Sequence, residues 1–297
     1  MIADTEAPEI ETLPILGRFG YIAVGTSNLL SAYAKDGKTT LLVAMLREWA
    51  QAGKRIVVLT EEPELVWQHR INAEPEIWRN VTFVFAIGAG AAVAVEEAFS
   101  GDESIVVIDT IRNVIGFENE NDNAEIPRVL NPFIARAREE ARTLLMTHHA
   151  NKVGGAHGRG IAGAGALFGV VDSALEITRV PGNGAEKRRK LKCTGRLLMP
   201  EDLLYEMRDD ESLAALGSPS LVEAVSVRRR VLDVLADEPA TLASIRDDLG
   251  DPPPGRENVR KALSFLVNEG DAKLTGEGKR GDPHRWERNF VSPTLGL

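Results

Sequence analysis

From Asn28 onward short uninterrupted apolar runs alternate with segments of helical period, and this alternation restricts the fold more than any other feature of the sequence. "NLLSAY" reads as a strand, "TTLLVAMLREWAQAG" as a helix that Gly53 closes, and "RIVVLT" as the next strand. "VTFVFA", "SIVVIDT" and "TLLMTH" are continuous and rich in β-branched residues, as strands buried on both faces are. Helical stretches lie between them: "AAVAVEEAFS", then "AEIPRVLNPFIARAREEA", where Pro127 marks a helix start or a kink. The repeat predicts an α/β fold with a mostly parallel central sheet. In such folds ligands collect at the carboxyl ends of the strands.

The pattern changes after "LEITRVPGNGAEKRRKLKCTGRLL", where two strand-like runs around "PGNG" predict a β-hairpin. "RDDESLAALGSPSLVEA" mixes charge, Gly, Ser and Pro, so a linker is expected at 211–220, between a first domain over 1–210 and a second over 221–297. In the second, "VEAVSVRRRVLDVLADEP", "TLASIRDDLG" with Thr241 as N-cap, and "GRENVRKALSFLVNEG" closed by Gly270 read as three helices. A two-stranded wing in "DAKLTGEGKRGDPHRWERN" would complete a small winged helix-turn-helix domain, whose third helix normally faces the DNA major groove. Val259, Leu263 and Leu266 would point inward, leaving Arg256, Arg260 and Lys261 as candidate DNA contacts. The same module also serves protein contacts.

A chain of 297 residues has room for both domains. Its net charge of -9 excludes a protein that coats nucleic acid over its whole surface. Local patches are a separate matter: Lys187, Arg188, Arg189, Lys190, Lys192 and Arg196 form either a basic patch or the solvated face of a strand. One cysteine, Cys193, excludes an internal disulfide and a cysteine-built metal cluster. No apolar run reaches the length of a membrane span and the acidic N-terminus has no apolar core, so a cytoplasmic protein without a membrane partner is expected.

The segment between the first strand and the first helix carries the chemistry. Ala34, Lys35, Asp36, Gly37, Lys38, Thr39 and Thr40 contain the tail of a phosphate-binding loop, G-K-[ST], while Ala32 stands where the usual first glycine would be. Gly37 lets the backbone approach phosphates, Lys38 would reach the terminal ones, and Thr39 would bind Mg²⁺ through its hydroxyl. Alanine at position 32 is tolerable wherever no left-handed backbone is required. "SIVVIDT" ends a strand with Asp109, the position from which an aspartate holds Mg²⁺. "RIVVLTEEP" places Glu61 and Glu62 at the end of the neighbouring strand, where one carboxylate could polarise an attacking water.

The order of G-K-T loop, "TEEP", "VVIDT", "LLMTHHANK" and "GRGIAGAGALFGVVDSALEI" resembles the RecA-like P-loop ATPases, and within them the RepA-type hexameric replicative helicases and their AAA-labelled relatives. The resemblance spans roughly 13–198. It implies an ATP- and Mg²⁺-dependent enzyme, a homo-oligomer in the form of a hexameric ring acting on single-stranded DNA. It implies Glu61 as the catalytic base, with Glu62 second, and His149 as the sensor of the γ-phosphate, with His148 second. Solvated histidines at a strand end are the alternative. It also implies that Lys192 and Arg196 reach a neighbouring subunit's nucleotide, Arg196 as an arginine finger, and that Lys152 and Arg159 in "NKVGGAHGRG" grip DNA phosphates. The appended C-terminal module is not general to that family and would bind duplex DNA or a replication protein. Two other readings use the same core: a filament-forming recombination-type ATPase, and a DNA-binding regulator switched by ATP. Aromatics make up only 5% of the chain, which offers little for stacking bases.

Overall fold

The computed structural model describes residues 9–71, 74–87, 90–116, 124–150, 164–181 and 185–289. The chain forms two compact units, Met1–Leu216 and Gly217–Leu297.

The first unit opens with a hairpin of β1 (Thr12–Ile15) and β2 (Arg18–Ala23), which sequence reasoning missed. Leu13, Ile15 and Ile22 are buried and tie it to the main core. There follow β3 (Ser27–Ala32), α1 (Lys38–Gln51), β4 (Ile56–Thr60), α2 (Glu64–Ile71), β5 (Val81–Phe85) and α3 (Ala91–Ala98). Next come β6 (Ile105–Asp109), a π-helical turn (Arg112–Gly116), α4 (Glu125–Glu139), β7 (Thr143–His149) and α5 (Ala164–Val170). The unit ends with β8 (Ser173–Arg179), β9 (Arg188–Gly195), β10 (Leu203–Met207) and β11 (Leu213–Gly217).

These strands build a nine-stranded sheet in the order β11-β10-β9-β8-β3-β7-β6-β4-β5. From β8 to β5 every pairing is parallel, while β9 runs antiparallel to β8 and β10 to β9. The expected α/β fold with its mostly parallel sheet is therefore present, and the expected hairpin extends it. Alternation along each strand feeds two cores. Leu30, Val58, Val107 and Leu145 pack with Leu41, Met45 and Trp49 of α1 on one face. Leu29, Val57, Val106 and Met146 pack with Leu130 and Phe133 of α4 on the other. Polar groups of the buried strand β3 bond to its neighbours: Asn28 Nδ2 donates to the Leu144 carbonyl at 3.3 Å and Ser31 Oγ to that of Leu175 at 3.2 Å, while Asn28 Oδ1 has no hydrogen-bond partner among the described residues. Such pairing offsets the cost of burying them. Gly53 follows α1 with φ 76, as expected of a helix stop, and Pro127 lies in the first turn of α4. The Asp109–Thr110 peptide is cis.

Two expectations need correction. The stretch 211–220 is not an open linker: it holds β11 and, from Pro219, the start of the next helix. Asp210 Oδ1 accepts from Ser212 N at 3.0 Å and Arg208 N donates to Ser212 O at 2.8 Å, which turns the chain back after β10. The basic cluster is not a free positive patch either. Arg188 pairs with Glu206 at 3.3 Å, Lys190 with Asp202 at 3.3 Å and Lys187 with Asp209, while Arg189 is buried. The strand-face alternative is the one present. Within "PGNG", residues 182–184 lie outside the described residues.

The second unit contains α6 (Pro219–Val234), β12 (Ala240–Thr241), α7 (Leu242–Asp248), α8 (Arg256–Glu269), β13 (Ala272–Thr275) and β14 (Arg285–Arg288). Its three-stranded sheet has the order β12-β14-β13, with Ala240 of β12 paired to Trp286 of β14. Thr241 Oγ1 caps α7 by accepting from Ser244 N, and Gly270 ends α8 at φ 85. Val231, Ile245, Val259, Leu263, Leu266 and Trp286 belong to the core of this unit. Arg256, Arg260 and Lys261 are exposed. No helix among the described residues is long and apolar enough to cross a membrane.

Candidate functional site

Residues 33–37 join β3 to α1 at the carboxyl edge of the sheet, between the strands β7 and β8 that flank β3. Ala32 is the last residue of β3, fully buried, and its carbonyl accepts from Ala150 N at 2.8 Å. A side chain is at ease in that extended backbone, so the missing first glycine is not needed. Left-handed backbone occurs later, at Lys35 (φ 67) and at Gly37 (φ 93). Gly37 is the N-cap of α1, and no side chain among the described residues caps the helix. The N–H groups of the first turn, Lys38, Thr39 and Thr40, therefore have no intrahelical acceptor, and with the helix dipole they suit an anion.

Lys38 opens α1 and is buried beneath the loop. Its Nζ donates to Asp109 Oδ1 at 2.6 Å and to Thr147 Oγ1 at 2.8 Å, while the Thr147 hydroxyl donates to the same Asp109 oxygen at 2.5 Å. Three strand or helix ends, from β6, β7 and α1, thus converge on one point. Register carries a fourth group there: Thr60 of β4 pairs with Asp109 of β6, so the next residue, Glu61, emerges beside Thr110. Glu61 Oε2 accepts from Thr110 N and from Thr110 Oγ1, both at 2.7 Å, and Oε1 accepts from Asn113 Nδ2 at 2.9 Å. Glu62 points elsewhere, into an ion pair with Arg70 of α2. Pro63 and the Trp67 Nε1 bond to Thr60 Oγ1, at 3.1 Å, anchor that helix.

The two histidines part company at the end of β7. Alternation puts His149 on the same face as Leu145 and Thr147, toward α1, and exposes it. His148 shares the opposite face with Met146 and is buried. Burial, then His149, Lys38 and Arg112, lower its pKa to about 4, so its ring is neutral at pH 7. His148 Nε2 has no hydrogen-bond partner among the described residues.

Lys192 and Arg196 are not brought to Lys38. Lys192 lies on the face of β9 opposite Leu191 and Cys193, which belong to the core on the α1 side. Arg196 follows the end of β9 that pairs with Ser173, at the amino edge of β8, and is held there by the Gly169 carbonyl at 2.8 Å and by Asp172 at 3.8 Å. Lys152 and Arg159 lie outside the described residues.

Sequence reasoning missed five groups. Thr110 directly follows β6 and Thr147 lies within β7, two residues before its end, and their hydroxyls next to Asp109 and to the histidines were a readable signal. Asn113, Arg179 and Arg189 reach the site through folding alone. Arg179 Nε donates to Asp36 Oδ1 at 2.6 Å and Arg189 Nε to the Asp36 carbonyl at 3.0 Å.

The sequence model of the AAA domain matches residues 2–155, just over half of the chain. The chain belongs to the AAA domain family. It is accordingly an ATPase of the P-loop class, and nucleotide binding goes with that class. The matched AAA span contains the loop, Glu61, Asp109 and Thr147, whereas Lys192, Arg196 and the second unit lie beyond it. A search of curated proteins finds no match.

The residues present suit the ligands of such an AAA domain. The uncapped first turn of α1 offers N–H groups to phosphates, and the Thr39 hydroxyl and Asp109 carboxylate are hard oxygen donors of the kind Mg²⁺ takes. No group of three or more His, Cys, Asp or Glu forms a metal site among the described residues. A Mg²⁺ that shares phosphate oxygens needs only one or two protein oxygens. A cavity of about 670 Å³ opens beside Thr39 and Thr40 and runs past Val43 to His69 and Leu213, a size that takes a drug-sized ligand.

Proposed function

We propose that this AAA domain hydrolyses the β–γ bond of ATP and couples turnover to single-stranded DNA, as a RepA-type helicase-like motor. The observation that carries the reading is Glu61, fixed by Thr110 and Asn113 next to the Lys38–Asp109–Thr147 cluster. A base held in place before the reaction, next to a lysine aimed at phosphates, is what water attack on a phosphoanhydride requires. In this reading the N–H groups of the loop and Lys38 bind the phosphates, Glu61 orients the attacking water and takes its proton, and His149 senses the terminal phosphate. Mg²⁺, when bound by Thr39 and Asp109, would spread the phosphate charge.

The placement of Lys192 and Arg196 supports action in trans, since both lie away from their own loop. A homo-oligomer, a hexameric ring, is the corresponding assembly, with the loop containing Lys152 and Arg159 on DNA. The second unit is read as a winged helix-turn-helix that docks on duplex DNA or a replication protein. The exposed Arg256, Arg260 and Lys261 of α8 favour a second reading as well, a DNA-binding regulator switched by ATP.

Steady-state ATP hydrolysis with and without single-stranded DNA tests the motor, with Lys38→Ala as blank. A rate raised severalfold by single strands and abolished in the variant is expected. A rate indifferent to DNA favours the regulator.

A further inference from the structure

The phosphate loop carries an acid in an awkward place. Asp36 lies two residues before Lys38, inside the turn that has to receive an anion, and it is 5% exposed. A buried carboxylate needs a partner, and one beside a phosphate site repels its ligand unless neutralised. The partner comes from the hairpin side of the sheet. Arg179, the last residue of β8, donates Nε to Asp36 Oδ1 at 2.6 Å and Nη2 to the Lys35 carbonyl at 3.4 Å.

Arg189 divides the work. It is buried and donates to the carbonyls of Asp36, Glu186 and Arg188, at 3.0, 2.7 and 2.9 Å, so it holds backbone. The Asp36 side chain is left to Arg179, whose own side chain is 60% exposed. Lys35, the residue that Arg179 also touches, sits in left-handed backbone at φ 67, a conformation that a lysine rarely adopts without support.

We propose that Arg179 is a positioning residue of the nucleotide loop, cancelling the Asp36 charge and bracing Lys35 so that the loop accepts phosphate. The proposal rests on the nucleotide-site reading above. It makes Arg179 act on binding, through Asp36, rather than on the hydrolytic step.

The test compares the full chain with Arg179→Gln, Asp36→Asn and the double variant, measuring the ADP·Mg²⁺ Kd by calorimetry and KM and kcat by steady-state hydrolysis. Arg179→Gln should raise Kd and KM about tenfold while kcat changes far less. Asp36→Asn should lower Kd, and adding it to Arg179→Gln should bring Kd back to within about twofold of the wild-type value. Rescue by removal of the opposing charge is not what a general loss of structure would give. The proposal is overturned by an unchanged Kd in Arg179→Gln, by weaker binding in Asp36→Asn, or by a double variant as weak as the arginine variant alone. Asp36→Asn keeps the test decisive should Arg179→Gln fold poorly. Lys38→Ala separates the two readings: if it binds ADP like the wild type, the nucleotide site itself is wrong and the proposal falls with it. If it abolishes binding while Arg179→Gln has no effect, only the proposal falls.

Discussion

Lys38 Nζ lies 2.6 Å from Asp109 Oδ1, and each side chain is only 4% exposed. A buried pair of this kind stabilises little as a pair, but removing one partner strands the other charge. Lys38→Met should therefore cost stability as well as nucleotide binding, by about 3 to 5 kcal/mol, although the Thr147 hydroxyl still reaches Asp109. Urea denaturation reads the stability and calorimetry the binding. An unchanged unfolding midpoint would mean that the lysine leaves the aspartate without structural cost.

The two adjacent glutamates have different fates. Glu61 is held by Thr110 and Asn113 at the cluster, and Glu62 is spent on Arg70. Glu61→Gln should slow phosphate release about 100- to 10,000-fold with ADP affinity retained. Glu62→Gln should stay within a few-fold of wild type in both. Equal losses in the two variants would undo the assignment of the base.

Much of this was legible before folding, for identifiable reasons. Continuous apolar runs specified β3, β4, β6 and β7, and Asp109 and Glu61 stand at the ends of two of them. The ranking of Glu61 over Glu62 comes from the resemblance and not from the residues themselves, because their directions depend on the Thr60–Asp109 register and on Arg70 of a helix hidden behind "TEEP". That His148 and His149 lie on opposite faces of β7 follows from strand alternation and was legible in principle. β11 was lost because its "LAALG" is short, half-buried and flanked by turn residues. The arginines at Asp36 come from β8 and β9, whose approach to the loop is a fact of sheet order, with no local signature.

His148 makes stability depend on pH. Its folded pKa, lowered to about 4, lies below the ordinary 6.5, so between these values the unfolded chain binds more protons. Its contribution is complete above pH 6.5 and is lost as pH falls toward 4. The full difference amounts to about 3 kcal/mol. In His148→Gln, the fall in unfolding free energy across this window should be shallower than in the wild type by that order. Parallel curves in urea titrations at pH 7, 6, 5 and 4 would show that the buried ring does not titrate as described.

Helix α8 separates its two faces cleanly enough to test what the second unit touches. Val259 and Leu263 are fully buried, whereas Arg256, Arg260 and Lys261 are exposed, Arg260 within a surface pair with Glu257 at 3.0 Å. Leu263→Ala should cost about 2 to 5 kcal/mol through the cavity it leaves. Replacing the three cations with alanine should each time stay within about 0.5 kcal/mol, since solvated charges and surface pairs carry little stability. On duplex DNA the same triple variant discriminates between partners. Every lost phosphate contact lowers the slope of log K against log salt by about 0.9, so a slope reduced by two or more units places α8 on the backbone. A slope equal to that of the wild type leaves the exposed face of α8 to a protein partner.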